Sequence, residues 1–149
     1  MVTLPVERLM RKRRAEVTPV TSRSLVLLRL GELCNNRCPM CSNSGDPAIW
    51  RIETDDLLAR VERLVEWGFR RVIVTGGEPT IHPGFWDVVA ALHRHTIPWD
   101  INSHGRSFAR RDFADRAVEA GLERAIISLH SHLEEKSAVI SGTSLEGHH

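Results

Sequence analysis

The sequence has almost no excess charge. Its 20 Lys and Arg stand against 19 Asp and Glu, a formal net charge of +1, which argues against a chain held to nucleic acid or membrane mainly by overall charge. It also lacks any apolar run near the roughly 20 residues that a membrane-spanning helix requires. The N-terminal segment MVTLPVERLMRKRRAEV carries basic residues without the apolar stretch of a signal peptide beside them. With 42 % hydrophobic and 26 % charged residues, the composition is that of a folded, soluble domain. Length is a further shortage: 149 residues suit one domain but fall well short of the roughly 250 of a closed eight-stranded α/β barrel, so any barrel-like pattern is partial. Cysteine is scarce as well. The three cysteines all lie between Cys34 and Cys41, and an odd, local set excludes a disulfide framework spread across the chain. A packed triplet of thiols points instead to a metal site in a reducing compartment, so the expected location is the cytoplasm.

What is present is an alternation of apolar runs and amphipathic stretches. LVLLRL, from Leu25 to Leu30, is nearly continuous and predicts a strand buried on both faces of a parallel sheet. Between Thr54 and Gly68, Leu57, Leu58, Val61, Leu64 and Val65 recur at helical spacing, with Thr54 as N-cap, Asp55 and Asp56 in the first turn and Gly68 at the stop. Arg70 to Val74 predicts a second strand, Thr75 to Pro83 its outgoing loop, and Phe85, Val88, Val89 and Leu92 a second helix. Pro98 to Asn102 predicts a third strand. A helix with Phe113, Ala114, Ala117 and Val118 on one face then ends at Gly121, and Arg124 to Leu129 predicts a fourth strand. Glu134 to His149 begins a candidate further crossover, with Ser141, Thr143 or Ser144 as N-caps. Strand alternating with helix is the mark of a parallel α/β sheet with right-handed crossovers. Loops leaving the C-terminal ends of such strands share one rim, where ligands bind.

The longest of those loops, Leu33 to Glu53, holds Cys34-Asn-Asn-Arg-Cys38-Pro-Met-Cys41, a C-x3-C-x2-C spacing. Three thiolates this close suit three irons of a [4Fe-4S] cubane, leaving the fourth iron without a protein ligand. Zinc is the alternative metal, and it needs a fourth ligand, for which the chain's eight histidines are candidates. On the next rim loop, Gly76 and Gly77 permit close approach of backbone to a ligand. The plain alternative for Gly76-Gly77-Glu78-Pro79 is an ordinary strand-to-helix turn.

Taken together, the cysteine motif after the first strand and Gly76-Gly77-Glu78-Pro79 after the second resemble the radical S-adenosylmethionine (radical SAM) enzymes, over about Leu25 to Ile140. The resemblance implies a partial TIM-type (βα)n barrel of six units, of which this chain has about four strands and three to four helices and lacks the C-terminal strands. It implies that residues 24–149 are an incomplete core domain and 1–23 a basic extension. It makes Cys34, Cys38 and Cys41 the cluster ligands, with S-adenosylmethionine chelated by the open iron and cleaved reductively to a 5′-deoxyadenosyl radical that takes hydrogen from a substrate. Gly76, Gly77 and Glu78 inherit the contact to the cofactor's amino group. Met40 stands where the family has an aromatic residue against adenine, and a methionine still packs on a ring or shields the cluster. Asn102-Ser103-His104-Gly105 looks like the family's Thr-Asn-Gly turn, and Ile127-Ser128-Leu129-His130 like its Ser-Leu-Asp stretch. Ser103 and Ser128 are therefore candidate cofactor contacts. His104 and His130 are candidate catalytic residues, against the alternative of solvated or backbone-bonded side chains. Period-two alternation puts Ser128, His130 and His132 on one face if the strand runs that far.

The implied partners are a peptide or small-molecule substrate and a flavodoxin- or ferredoxin-like electron donor, with no membrane. The lack of a basic surface signal disfavours nucleic acid. A non-catalytic iron-sulfur or zinc module, or an inactive fragment of such an enzyme, is the competing reading. Arg11 to Arg14 reads as a solvated basic face, and Trp50, Trp67, Trp86 and Trp99 as packing residues on separate elements.

Overall fold

A computed structural model describes residues 25–43 and 51–143. Among them four strands form one parallel sheet in the order β1-β2-β3-β4, with β1 at Leu25–Arg29, β2 at Arg71–Thr75, β3 at Trp99–Ser103 and β4 at Leu122–Ile127. Helices α1 (Thr54–Glu66), α2 (Phe85–Arg94) and α3 (Arg111–Glu119) make the three crossovers, and α4 (Glu134–Ser141) follows β4. This is the expected α/β architecture. The basic extension, Arg11 to Arg14, Trp50 and Ser144 lie outside the described residues. Among those described, no helix is long and apolar enough to cross a membrane.

One face of the sheet carries the core. Leu28, Leu30, Val72, Val74, Trp99 and Ile101 point to it, and Leu57, Val61 and Leu64 of α1, Val88, Val89 and Leu92 of α2, and Phe113 and Ala117 of α3 close over them, none more than 7 % exposed. The helical residues recur at three- and four-residue intervals, so burying that stripe fixes each helix's rotation. Trp99 is wholly buried and its indole N–H donates to the Ala120 carbonyl at 2.8 Å, which anchors β3 under the end of α3.

Several expectations change. Thr54 is not the N-cap of α1; Glu53 takes that position, and no side chain caps the helix. The Thr54 side chain is turned onto Gly84, where an added Cβ would meet its Oγ1 at 2.4 Å. The strand at Leu25 is not buried on both faces: Leu25 is 46 % and Leu27 63 % exposed, because helices cover only one face of the sheet among the described residues. Trp67, at the end of α1, is exposed rather than packed.

β4 begins two residues earlier than expected and ends at Ile127, before Ser128, His130 and His132. Leu122 and Glu123 fall outside the expected strand, but Glu123 pairs with Arg71 of β2 at 2.7 Å, and Arg124, the first residue of the expected strand, pairs with Asp100 of β3 at 2.7 Å. The segment from Glu134 also differs. Ser141 caps no following helix; it ends α4, where its hydroxyl donates back to the Ser137 carbonyl at 2.8 Å and Gly142 turns the chain with φ 61°. Thr143, past that turn, caps no helix among the described residues either.

Asp100 lies on the face away from the core. Its side chain is fully buried and receives Arg71 from β2 at 2.8 Å and Arg124 from β4 at 2.7 Å. Burial alone would raise this carboxyl's pKa, but the two guanidinium groups outweigh it and hold the pKa below the ordinary carboxylate range. Three strands are thereby locked in register near their N-terminal ends.

Candidate functional site

The rim at the C-terminal strand ends is built first from backbone. At Gly76 (φ 153°) an added Cβ would lie 2.6 Å from the Gly31 carbonyl oxygen, and at Gly77 2.4 Å from those of both Glu32 and Leu33. The Gly77 N–H donates to Gly31 O at 3.0 Å and the Glu78 N–H to Leu33 O at 2.7 Å. The two glycines thus let the β2 exit lie directly on the backbone that enters the cysteine loop. Any side chain there pushes the loop away.

Glu78 is the hub of the rim, 1 % exposed. Its carboxylate accepts the Thr80 hydroxyl at 2.6 Å, the Thr80 N–H at 3.2 Å, the Ser103 hydroxyl at 2.9 Å and the His104 N–H at 2.9 Å. The exits of β2 and β3 are joined through this one group. Ser103 is itself buried and, besides donating to Glu78, accepts the Gly105 N–H at 2.9 Å.

The β3 exit in turn reaches the cysteine loop. The Arg106 N–H donates to His104 Nδ1 at 3.3 Å, so the ring proton sits on Nε2, which donates to Asn35 Oδ1 at 2.6 Å and lies 3.4 Å from Glu78 Oε2. The Arg106 guanidinium donates to Asn36 Oδ1 at 2.5 Å. On the other side Arg29 donates to Glu32 Oε1 at 2.8 Å and Asn43 Oδ1 at 2.7 Å, gripping both flanks of the loop. Asn43 also donates to the Gly76 carbonyl at 3.4 Å. Below, buried His82 accepts the Gly84 N–H at Nδ1 and donates from Nε2 to the Ile52 carbonyl at 2.9 Å, pinning the loop's return.

Cys34 and Cys38 are half-buried, Cys41 is exposed, and all three thiols are free. Burial pushes the Cys34 thiol's pKa up, and the charges of Glu78, Cys38 and Cys41 add to the rise, while an N–H from Asn36 at 3.3 Å opposes it. The three sulfurs therefore feel one another. Cys41 accepts the Asn43 N–H at 3.4 Å.

Among the described residues no three His, Cys, Asp or Glu side chains converge on a single ion, as a structural zinc requires. Soft thiolates on one loop, with N–H groups aimed at two sulfurs, suit an iron-sulfur cluster, whose irons each take their own cysteine. Two buried polar atoms, Arg29 Nε on β1 and Asn102 Oδ1 on β3, have no hydrogen-bond partner among the described residues. The donor set of the loop fits a [4Fe-4S] cluster.

Met40, 58 % exposed, stands at this rim beside Cys41. Ser128 and His130 lie on the exposed exit of β4, where the Ser128 N–H is bonded to the Ser103 carbonyl at 2.9 Å. The rim thus brings together the cysteines, Gly76 to Glu78, Ser103 and His104, and leaves His130 at its outer edge. A hollow of about 460 Å³ lined by His93, Thr96, Pro98 and Glu123 opens at the opposite ends of the strands, away from every thiol. Arg29, Asn35, Asn36, Asn43, His82 and Arg106 join the site without a motif of their own in the sequence. The available signal was the pair of asparagines following Cys34.

The family described as the Radical SAM superfamily matches residues 28–146. A probable GTP 3′,8-cyclase of Thermococcus kodakarensis is 30 % identical over 126 residues, covering 83 % of this chain and 39 % of that protein. A GTP 3′,8-cyclase of Microcystis aeruginosa is 32 % identical over 111 residues, covering 70 % and 33 %. Among solved structures, Streptococcus suis SuiB bound to S-adenosylmethionine superposes with a TM-score of 0.68 at 14 % identity, over 93 % of this chain and 32 % of that one. SuiB bound to its precursor peptide SuiA gives 0.66 at 15 % identity, over 93 % and 30 %. The chain spans about two fifths or less of the length of these relatives.

Proposed function

The chain belongs to the radical SAM superfamily, whose enzymes use a [4Fe-4S] cluster and S-adenosylmethionine, and from that premise we propose that Cys34, Cys38 and Cys41 hold the cluster for reductive cleavage of S-adenosylmethionine. The observation that carries this reading is the docking of the three-thiol loop onto Gly76, Gly77 and Glu78, backbone against backbone at 2.7 and 3.0 Å. When bound, the reduced cluster supplies the electron that splits the cofactor into methionine and a 5′-deoxyadenosyl radical, which takes a hydrogen atom from the substrate.

The chain's own residues position and shield. Gly76 and Gly77 hold their loop close enough to present backbone groups to the methionine end. Among the described residues Glu78 receives hydroxyl and backbone N–H donors from Thr80, Ser103 and His104, and its carboxylate favours a cationic ligand at the rim. Met40 packs against the adenine or shields the cluster from water. Ser103 and Ser128 are the polar contacts from the β3 and β4 exits. His104 acts on the loop through Asn35, and His130 stands at the open edge where a substrate approaches. The division into a basic extension, 1–23, and a core, 24–149, belongs to this reading, as do cytoplasmic residence and reduction by a flavodoxin- or ferredoxin-like protein.

The substrate is a peptide or a small molecule. The relatives named as GTP cyclases support a nucleotide and SuiB with its precursor a peptide, and the higher identity to the former makes GTP the first compound to try. Anaerobic reconstitution with iron and sulfide, followed by reductant and S-adenosylmethionine, yields 5′-deoxyadenosine on this reading. A four-iron cluster with no 5′-deoxyadenosine would instead support the binding-module reading.

A further inference from the structure

The two outer cysteines of the motif carry the same local device. Cys34 Sγ accepts the backbone N–H of Asn36 at 3.3 Å, and Cys41 Sγ accepts that of Asn43 at 3.4 Å, in each case from an asparagine two residues on. Each asparagine is then held by its side-chain oxygen from a different element. Arg106, from the β3 exit, donates to Asn36 Oδ1 at 2.5 Å, and Arg29, on β1, donates to Asn43 Oδ1 at 2.7 Å. Turning either asparagine side chain away breaks its arginine contact and leaves the backbone that donates the N–H···S bond without that restraint. Arg29 is fixed further by Glu32, and Asn43 by the Gly76 carbonyl.

We propose that Arg106 and Arg29 are positioning residues that brace these two N–H···S bonds and so set the reduction potential of the cluster. The proposal rests on the cluster reading above. An N–H dipole aimed at a ligating sulfur stabilises the extra negative charge of the reduced cluster and raises its potential. A guanidinium nearby acts in the same direction, so charge and brace must be separated. The brace at Cys34 matters more, because that sulfur is half-buried, whereas water can take the place of the amide at exposed Cys41.

The test is a mediator titration of the reconstituted full chain followed by electron paramagnetic resonance, with iron content measured on the same samples. Removing the brace in Arg106→Ala makes cluster reduction about tenfold less favourable, about 59 mV for one electron. Asn36→Ala leaves the guanidinium in place and shifts the potential the same way. The double variant shifts no further than Arg106→Ala alone, since both changes break one device. Arg29→Lys and Asn43→Ala give smaller shifts. Amide hydrogen exchange at Asn36, measured without cluster, accelerates in Arg106→Ala and gives a readout independent of metal loading. Additive shifts, or an unchanged potential and exchange rate in Asn36→Ala and Arg106→Ala, would overturn the brace while leaving the cluster reading intact. An unmodified chain that takes up no four-iron cluster would overturn both.

Discussion

Glu78 and Asp100 are both buried carboxylates that tie strands together, and they are satisfied in opposite ways. Asp100 receives two guanidinium groups, Arg71 and Arg124, and its charge is neutralised where it sits. Glu78 receives two hydroxyls and backbone N–H groups, with the His104 ring 3.4 Å away and no guanidinium bonded to it among the described residues. Its charge adds to the rise of the Cys34 thiol's pKa, which burial causes first. The difference separates architecture from chemistry: the lower cluster fixes register, whereas the rim keeps a negative field beside the thiols.

Substitutions at the two carboxylates sharpen that contrast. Asp100→Asn leaves Arg71 and Arg124, whose side chains are 31 % and 63 % exposed, facing a buried neutral amide, and costs about 2 kcal/mol of stability at neutral pH. Iron uptake per folded chain is unaffected, which chemical denaturation and iron analysis check together. Gly77→Ala reverses the pattern. Its Cβ meets two backbone carbonyls at 2.4 Å, so the cysteine loop moves at a cost of about 2 kcal/mol and iron uptake falls in proportion more than stability does. Glu78→Gln keeps the shape but turns an amide donor toward other donors, a loss of about 2 kcal/mol. In the same variant the Cys34 thiol becomes more acidic, a change read by the pH dependence of its alkylation.

The pH dependence of stability follows from Asp100. Its folded-state pKa is lowered, so its contribution is fully present above the unfolded carboxylate value of about 4 and is lost as pH falls through the folded value. Wild type and Asp100→Asn accordingly converge in stability as the pH is taken below about 4. A constant gap down to acid pH would assign the loss to packing. The smallest effect is at Ser103→Ala, which removes one hydroxyl from Glu78 and costs about 1 kcal/mol.

Much of this is legible in the sequence alone. The spacing of Leu57, Val61 and Leu64 announced α1, and the cysteine motif with Gly76 to Glu78 announced the rim, because both are local patterns. β4 begins two residues before the expected strand because Glu123 looks solvated until Arg71, far away in sequence, is seen beside it. The exposed face of β1 had no sequence signal either, since an apolar run does not say which side a helix covers. The braces were illegible for the same reason: Arg106 lies 70 residues from Asn36, and no local pattern joins them. Glycine at position 77 was expected to admit a ligand, whereas its bare face first admits the backbone of the cysteine loop.

Three thiols holding a four-iron cluster leave one of its irons open to S-adenosylmethionine. The electron paramagnetic resonance spectrum of the reduced, reconstituted chain, taken before and after the cofactor is added, tests this directly. A four-iron signal that changes on addition and disappears in Cys38→Ala is expected. A spectrum indifferent to S-adenosylmethionine, or a chain that retains zinc and takes up no iron, would contradict it.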